Sequence, residues 1–159
     1  MNAEMRCVGD VMDPEVLVLD FHETVCEARL AVKVARERLV AVTREGRLVG
    51  VFSDDSLAES IAWRATLGSP PRPAEMDALS VDMVMTRKPI MVGPDFPIAE
   101  ADRLMRSRRL RVLPVVDARG SLLGFVHRCE LARTAALREH PSSNARPGCH
   151  EAGFDARWG

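Results

Sequence analysis

The 159-residue sequence contains no tyrosine, two tryptophans and five phenylalanines. So small an aromatic stock leaves little for unpaired bases to stack on, and base stacking is how single-stranded nucleic acid is usually held. No apolar run approaches the roughly 20 residues that a membrane-spanning helix requires; the longest, at 16–19 and 39–42, are strand-sized. The four cysteines, Cys7, Cys26, Cys129 and Cys149, show no CxxC spacing and read as small apolar side chains or idle thiols. His140, Cys149 and His150 have no recognised zinc spacing either, so no metal site is expected. A Gly-rich phosphate loop, a nucleophile elbow and a paired-carboxylate motif are all missing, which argues against an enzyme. No basic-then-apolar leader opens the chain, so a cytoplasmic location is expected.

Apolar residues make up 47% of the chain and charged residues 28%, enough apolar material for one compact core or two small modules. The net charge of −1 hides an imbalance. Residues 1–57 carry 7 lysines and arginines against 11 acidic residues, whereas residues 81–138 carry 11 against 6. Such opposed halves suit unlike faces meeting, or a site for an anionic ligand.

The dominant pattern is an internal repeat. A shift of 73 residues lays Val8, Val11 and Met12 on Val81, Val84 and Met85, and Glu27-Ala28 on Glu100-Ala101. The same shift lays Arg36, Arg38 and Val42 on Arg109, Arg111 and Val115. One extra residue near Arg119 moves the shift to 74, after which Gly46, Leu48, Gly50 and Leu57 fall on Gly120, Leu122, Gly124 and Leu131. Ordered matches of this kind mark duplicated structural units.

Each unit reads as β-α-β-β-α. Strands are expected at 16–19 and 90–92. The first helix opens at Thr24-Val25-Cys26-Glu27, a capping box in one copy, and after Pro97 in the other, where Ile98, Ala101 and Met105 recur at helical spacing. Strand pairs 39–43/48–52 and 112–116/122–126 are joined by the turns Arg44-Glu45-Gly46 and 117–120, short enough for hairpins. Ser53 and His127 then open a second helix, ending near Leu67 in the first copy. This gives an α/β (α+β) chain: a first repeat at 6–67, a linker at 68–79, a second repeat at 80–138, and a disordered tail at 139–159. Two such units packed sheet to sheet about a pseudo-two-fold axis would bury both sheets.

The motifs Val81-x-x-Val84-Met85-Thr86, Pro94-Asp95, Leu113-Pro114-Val115-Val116-Asp117 and Gly120-x-Leu122-x-Gly124-Phe125-Val126 resemble the CBS domain, the family named after cystathionine β-synthase. Val8-x-x-Val11-Met12-Asp13 and Gly46-x-Leu48-Val49-Gly50-Val51-Phe52 are similar in the first copy, with Ala41 in the place of the proline. The resemblance covers roughly residues 6–138. It implies a tandem CBS pair, or Bateman module, that commonly dimerises into a disc and binds AMP, ADP, ATP or S-adenosylmethionine in inter-repeat clefts. Other members bind no nucleotide and serve as docking units.

Transferred residue by residue, the resemblance implies that backbone near Val16–Val18 and Ile90–Val92 holds the base, with Val40 and Leu113 as apolar walls. Arg38 and Arg111 would meet phosphate. The segment feeding the second helix should supply a hydroxyl and, three residues on, an acid for the ribose. Ser53 keeps the hydroxyl but Ser56 replaces the acid, while His127 replaces the hydroxyl and Glu130 keeps an acid. All four stand where residues also cap helices. The two clefts should therefore differ, with the one using Glu130 favoured. The expectation is a regulatory module, homodimeric and acting on a partner protein, that senses an adenine nucleotide or S-adenosylmethionine. The alternative is a ligand-free dimerisation and docking unit. A minor alternative is nucleic-acid binding through Arg106, Arg108, Arg109 and Arg111, which a charged helix face explains as well.

Overall fold

The computed structural model describes residues 6–35, 39–68 and 70–136. The chain is mixed α+β, as the repeat pattern implied, and divides into two compact units that are discontinuous in sequence. The leading unit comprises Glu15–Ile90 and Val116–Leu122; the trailing unit comprises Met1–Pro14, Met91–Val115 and Leu123–Gly159, so far as these are described.

In the leading unit, β1 (Val18–Asp20), β2 (Leu39–Arg44), β3 (Arg47–Ser53) and β4 (Thr86–Arg87) form one sheet in that order. β1 runs parallel to β2, and the helix α1 (Val25–Val34) connects them. α1 begins at the capping box read from the sequence: the Glu27 N–H donates to Thr24 Oγ1 at 3.3 Å, and the Thr24 N–H donates to Glu27 Oε2 at 2.9 Å. The Thr24 N–H and then the Thr24 hydroxyl, both donating to Glu27 Oε2, hold the Glu27 carboxyl below its ordinary range. Val25, Ala28 and Val32, spaced along one helix face, pack with Val40, Val42 and Phe52 of the sheet. The β2–β3 turn needs left-handed backbone at both central positions, Glu45 (φ 52°) and Gly46 (φ 78°), and glycine meets that demand without strain at the second.

In the trailing unit, α4 (Ile98–Ser107) starts after Pro97 with no side-chain cap and buries Ala101 and Met105 completely. Strands β5 (Val112–Val116) and β6 (Leu122–His127) pair, and α5 (Arg128–Ala136) follows directly. In the turn between them, part of the 116–122 segment that belongs to the leading unit, the Ser121 N–H and then the Arg119 N–H donate to Asp117 Oδ1, which keeps that carboxyl below its ordinary range.

Three elements differ from expectation. β1 lies two residues later than 16–19 at its start, because the parallel register with β2 begins at Val18↔Ala41. The strand expected at 90–92 shrinks to a single bridge, Val92↔Val115, and Pro94 lacks the N–H that would extend it. The segment expected to be a plain linker contains a helix, α3 (Pro73–Asp77). Pro73 stands at the first helical position, where it starts a helix rather than stopping one. Met76 joins the core and Asp77 pairs with Arg29 at 2.9 Å.

The folded units do not coincide with the sequence repeats. In the trailing unit, residues 6–13 are bound to residues of the second repeat. Ile98 N–H donates to Arg6 O (3.1 Å), Val8 N–H to Phe96 O (2.9 Å), Asp13 N–H to Phe125 O (2.7 Å), and Phe125 N–H back to Asp13 O (2.9 Å). The leading unit repeats this 73 residues on: Val25 N–H donates to Leu79 O (2.8 Å), Val81 N–H to Glu23 O (2.8 Å), and Thr86 pairs with Val51. Val8 and Val81 are both fully buried. Each unit is thus completed by the opening segment of the other repeat.

The approach requires a missing side chain on the receiving strand. A Cβ at Gly124 would lie 2.5 Å from the Asp13 carbonyl oxygen; one at Gly50 would lie 2.5 Å from Met85 Sδ and 2.8 Å from the Thr86 carbonyl oxygen. Gly124→Ala should accordingly destabilise the chain by about 1–3 kcal/mol, the usual cost of overpacking, and Gly50→Ala by a similar amount. Urea denaturation checks this: an unchanged midpoint for Gly124→Ala would show that residue 13 does not rest against β6.

Candidate functional site

Both repeats end a strand directly on a helix N-terminus, where free N–H groups and the helix dipole favour an anion. The two corners are built differently. At the β3–α2 corner (α2, Asp54–Thr66), Ser53 and Ser56 engage each other: the Ser56 N–H donates to Ser53 Oγ at 3.2 Å, the Ser53 N–H to Ser56 Oγ at 3.0 Å, and the Ser56 hydroxyl to Ser53 O at 2.8 Å. Ser56 is buried. Asp54 and Asp55 fill the first turn of α2 and place two carboxylates at its positive end.

At the β6–α5 corner the charge is mixed, with Arg128 and Glu130 both in the first turn of α5. Arg128 opens α5 and is exposed, and its N–H donates to the carbonyl of exposed Arg111 at 2.9 Å. Glu130 is partly buried and accepts from Arg133 Nη2 at 3.1 Å. His127 is 4% exposed, with Nε2 3.9 Å from Asp13 Oδ2. A histidine of that burial does not present a polar group to solvent as a serine there would.

The remaining sequence-predicted positions fall as follows. Val40 and Leu113 are fully buried in the cores of the leading and trailing units respectively. Val92 is buried, Val16 is half-buried, and Val18 and Ile90 are exposed. Arg38 and the tail, with His140, Cys149 and His150, lie outside the described residues. The structure therefore gathers Arg111, His127 and Glu130 at one corner and Ser53 with Ser56 at the other.

Sequence reasoning assigned no role to Arg128 or Asp13, and took Leu17 and Met91 only as backbone within 16–18 and 90–92. Leu17–Val18 and Ile90–Met91 are apolar pairs, between 37% and 48% exposed, that the 73-residue shift superposes. That coincidence was readable from the repeat. The contact of Asp13 with His127 was not, because nothing local in the sequence links the two. In the basic run, Arg106 is paired with Asp102 at 2.8 Å, four residues back on α4, as on an ordinary charged helix face. Among the described residues, no three His, Cys, Asp or Glu side chains are grouped to hold a metal ion, and no helix is long and apolar enough to cross a membrane.

Comparison with known proteins agrees with the resemblance in both copies. The CBS domain model matches residues 8–62 and again 81–136. CBS domain-containing protein YhcV of Bacillus subtilis is 27% identical over 139 residues, covering 87% of this chain and 92% of its own length. Among solved structures, CBSX2 in complex with AMP is 28% identical, with a TM-score of 0.69, covering 84% of this chain and 98% of that one. The cytosolic domain of the Mg2+ channel MgtE in complex with ATP is also 28% identical, with a TM-score of 0.62, covering 82% of this chain and 49% of that one.

The Ser53–Ser56 box predicts a stability effect that needs no ligand. Ser53→Ala should lower stability by about 1 kcal/mol through loss of the cap on α2, read as a shift of the urea midpoint. No change would show that the hydroxyl does not hold the helix end.

Proposed function

The chain belongs to the CBS domain family, with two tandem copies, and from that premise we propose that it is a regulatory rather than catalytic module. In this reading it binds an adenosine-containing ligand (AMP, ADP, ATP or S-adenosylmethionine) and conveys its occupancy to a separate partner protein. The observation that carries the reading is the β6–α5 corner. Arg111 and Arg128 bracket the start of a helix there, with the carboxylate of Glu130 within its first turn. Guanidinium groups and a helix N-terminus suit phosphate, and a carboxylate suits the two hydroxyls of a ribose. Nucleotide complexes of CBSX2 with AMP and of the MgtE cytosolic domain with ATP, each 28% identical to this chain, support the ligand class.

The other corner is assigned a lesser role. Its two hydroxyls are engaged by each other's backbone groups, position 56 lacks an acid, and Asp54 with Asp55 repels phosphate. One ligand per chain, at the Arg111–Glu130 corner, is the stoichiometry this predicts.

A docking role is favoured by a separate observation. Ser56 is the one buried residue of α2 among its described positions, while Trp63 and Leu67, one turn apart, are 67% and 70% exposed. Leu30 and Val34, likewise one turn apart at the end of α1, are 60% and 76% exposed. Such pairs suit burial against a second copy or a partner. We assign them to homodimerisation.

Two experiments test these readings. Thermal shift and calorimetry against AMP, ADP, ATP, S-adenosylmethionine and NAD should find one binder, stabilised by about 2.7 kcal/mol at one hundred times its Kd. Arg111→Ala and Glu130→Ala should each weaken that binding about tenfold or more, as loss of a charge-assisted bond does, without lowering the ligand-free melting temperature. Absence of any shift at millimolar ligand would overturn the sensing role and leave the docking role. Sedimentation of the wild type should show a dimer and that of Trp63→Glu a monomer; an unaltered mass would remove α2 from the interface.

A further inference from the structure

We propose that the contact between His127 and Asp13 is a latch through which the β6–α5 corner governs how firmly the opening segment, residues 6–13, is held on its sheet. His127 is the last residue of β6 and abuts α5, so its backbone is continuous with the corner assigned above to a ligand. Its side chain is buried, with Nε2 3.9 Å from Asp13 Oδ2. Asp13 in turn exchanges two backbone hydrogen bonds with Phe125, two residues before His127 on the same strand. A side-chain contact and a pair of backbone bonds therefore converge on the last residue of the opening segment.

The other unit has the same strand exchange without the latch. Position 127 corresponds to Ser53, which is engaged with Ser56, and position 13 corresponds to Thr86, which has no charge. The imidazole–carboxylate contact is an addition to one unit only. Other charged groups on the elements meeting at His127 include Arg6 and Asp10 on the opening segment, the latter accepting from the Cys7 N–H, Arg111 before β5, and Arg128 and Glu130 on α5, with Glu130 engaged by Arg133. Any shift of the first turn of α5 moves residue 128, whose N–H is tied to Arg111, and with it residue 127.

The two states this device separates are a segment docked through Asp13 and a segment released from β6. A ligand at the corner biases them only through unequal affinity for the two. That second step rests on the proposed function; the latch itself does not.

Amide hydrogen exchange tests both. In the ligand-free chain, His127→Ser should speed exchange at Asp13 and Phe125 about tenfold, while Val51, which pairs with Thr86 in the leading unit, stays unchanged. Asp13→Ala, at a partly exposed position, should do the same and keeps the test open should His127→Ser fail to fold. The double variant should exchange no faster than either single one. Additive effects, or equal acceleration at Val51, would overturn the latch. With AMP added as the probe, exchange at Asp13 should slow in the wild type and not in His127→Ser. AMP that binds without altering Asp13 would overturn the coupling. AMP that does not bind would count against the ligand assignment, and the ligand-free series would still decide the latch.

Discussion

The structure depends on two places where one backbone must touch another. At Gly124 and Gly50 a strand admits the opening segment of the other repeat so closely that a single methyl group would collide with it. These contacts let Asp13 bond to Phe125 and Thr86 to Val51, and the same segments bury Val8 and Val81. Burial of a valine is worth about 1.5–3 kcal/mol, so each exchanged segment is part of the core it enters. Removal of either would strip apolar contacts and a sheet edge together.

Much of this was legible in the sequence because it is local. The Thr24–Glu27 box, the glycine at 46, the Pro97 start and the apolar spacing of Ala101 and Met105 each act within a few residues, and each appears where the pattern put it. The repeat supplied the pairing of equivalent positions, hence the two strand-to-helix corners. What escaped depends on residues distant in the chain. Proline at position 73 reads as a break until Met76 is seen to be wanted by a core, and that core is built mostly from the first repeat with Val81 and Val84 of the second. The strand exchange was written in the paired glycines, yet a glycine in a strand does not say which backbone approaches it. At the candidate site, Ser53, Ser56, Arg111 and Glu130 were named from motif position. The buried His127 lies beside Asp13, which no spacing rule connects to it.

Duplication fixes the framework and leaves the corners free to diverge. Residues that build the strands and admit the segments agree at offsets of 73 and 74, whereas the helix starts carry Asp54-Asp55 in one copy and Arg128 with Glu130 in the other. Two carboxylates at the positive end of a helix dipole disfavour an added anion more than an arginine and one carboxylate do. Two corners built at equivalent positions of the repeats therefore differ in their electrostatics.

The interleaving has a consequence for ancestry and for engineering. A chain bearing a single repeat would begin with a segment that its own sheet has no place for, and it would end with a sheet edge left open. Two such chains could satisfy each other only by trading beginnings, so the one-repeat form is a partnership before it is a fold. Fusing two repeats in tandem replaces that bimolecular exchange by an intramolecular one, whose closure no longer depends on concentration. Cutting the present chain at 68–72 would reverse the step. The halves would be fragments that fold on meeting, and their affinity would report directly how much stability the traded beginnings supply.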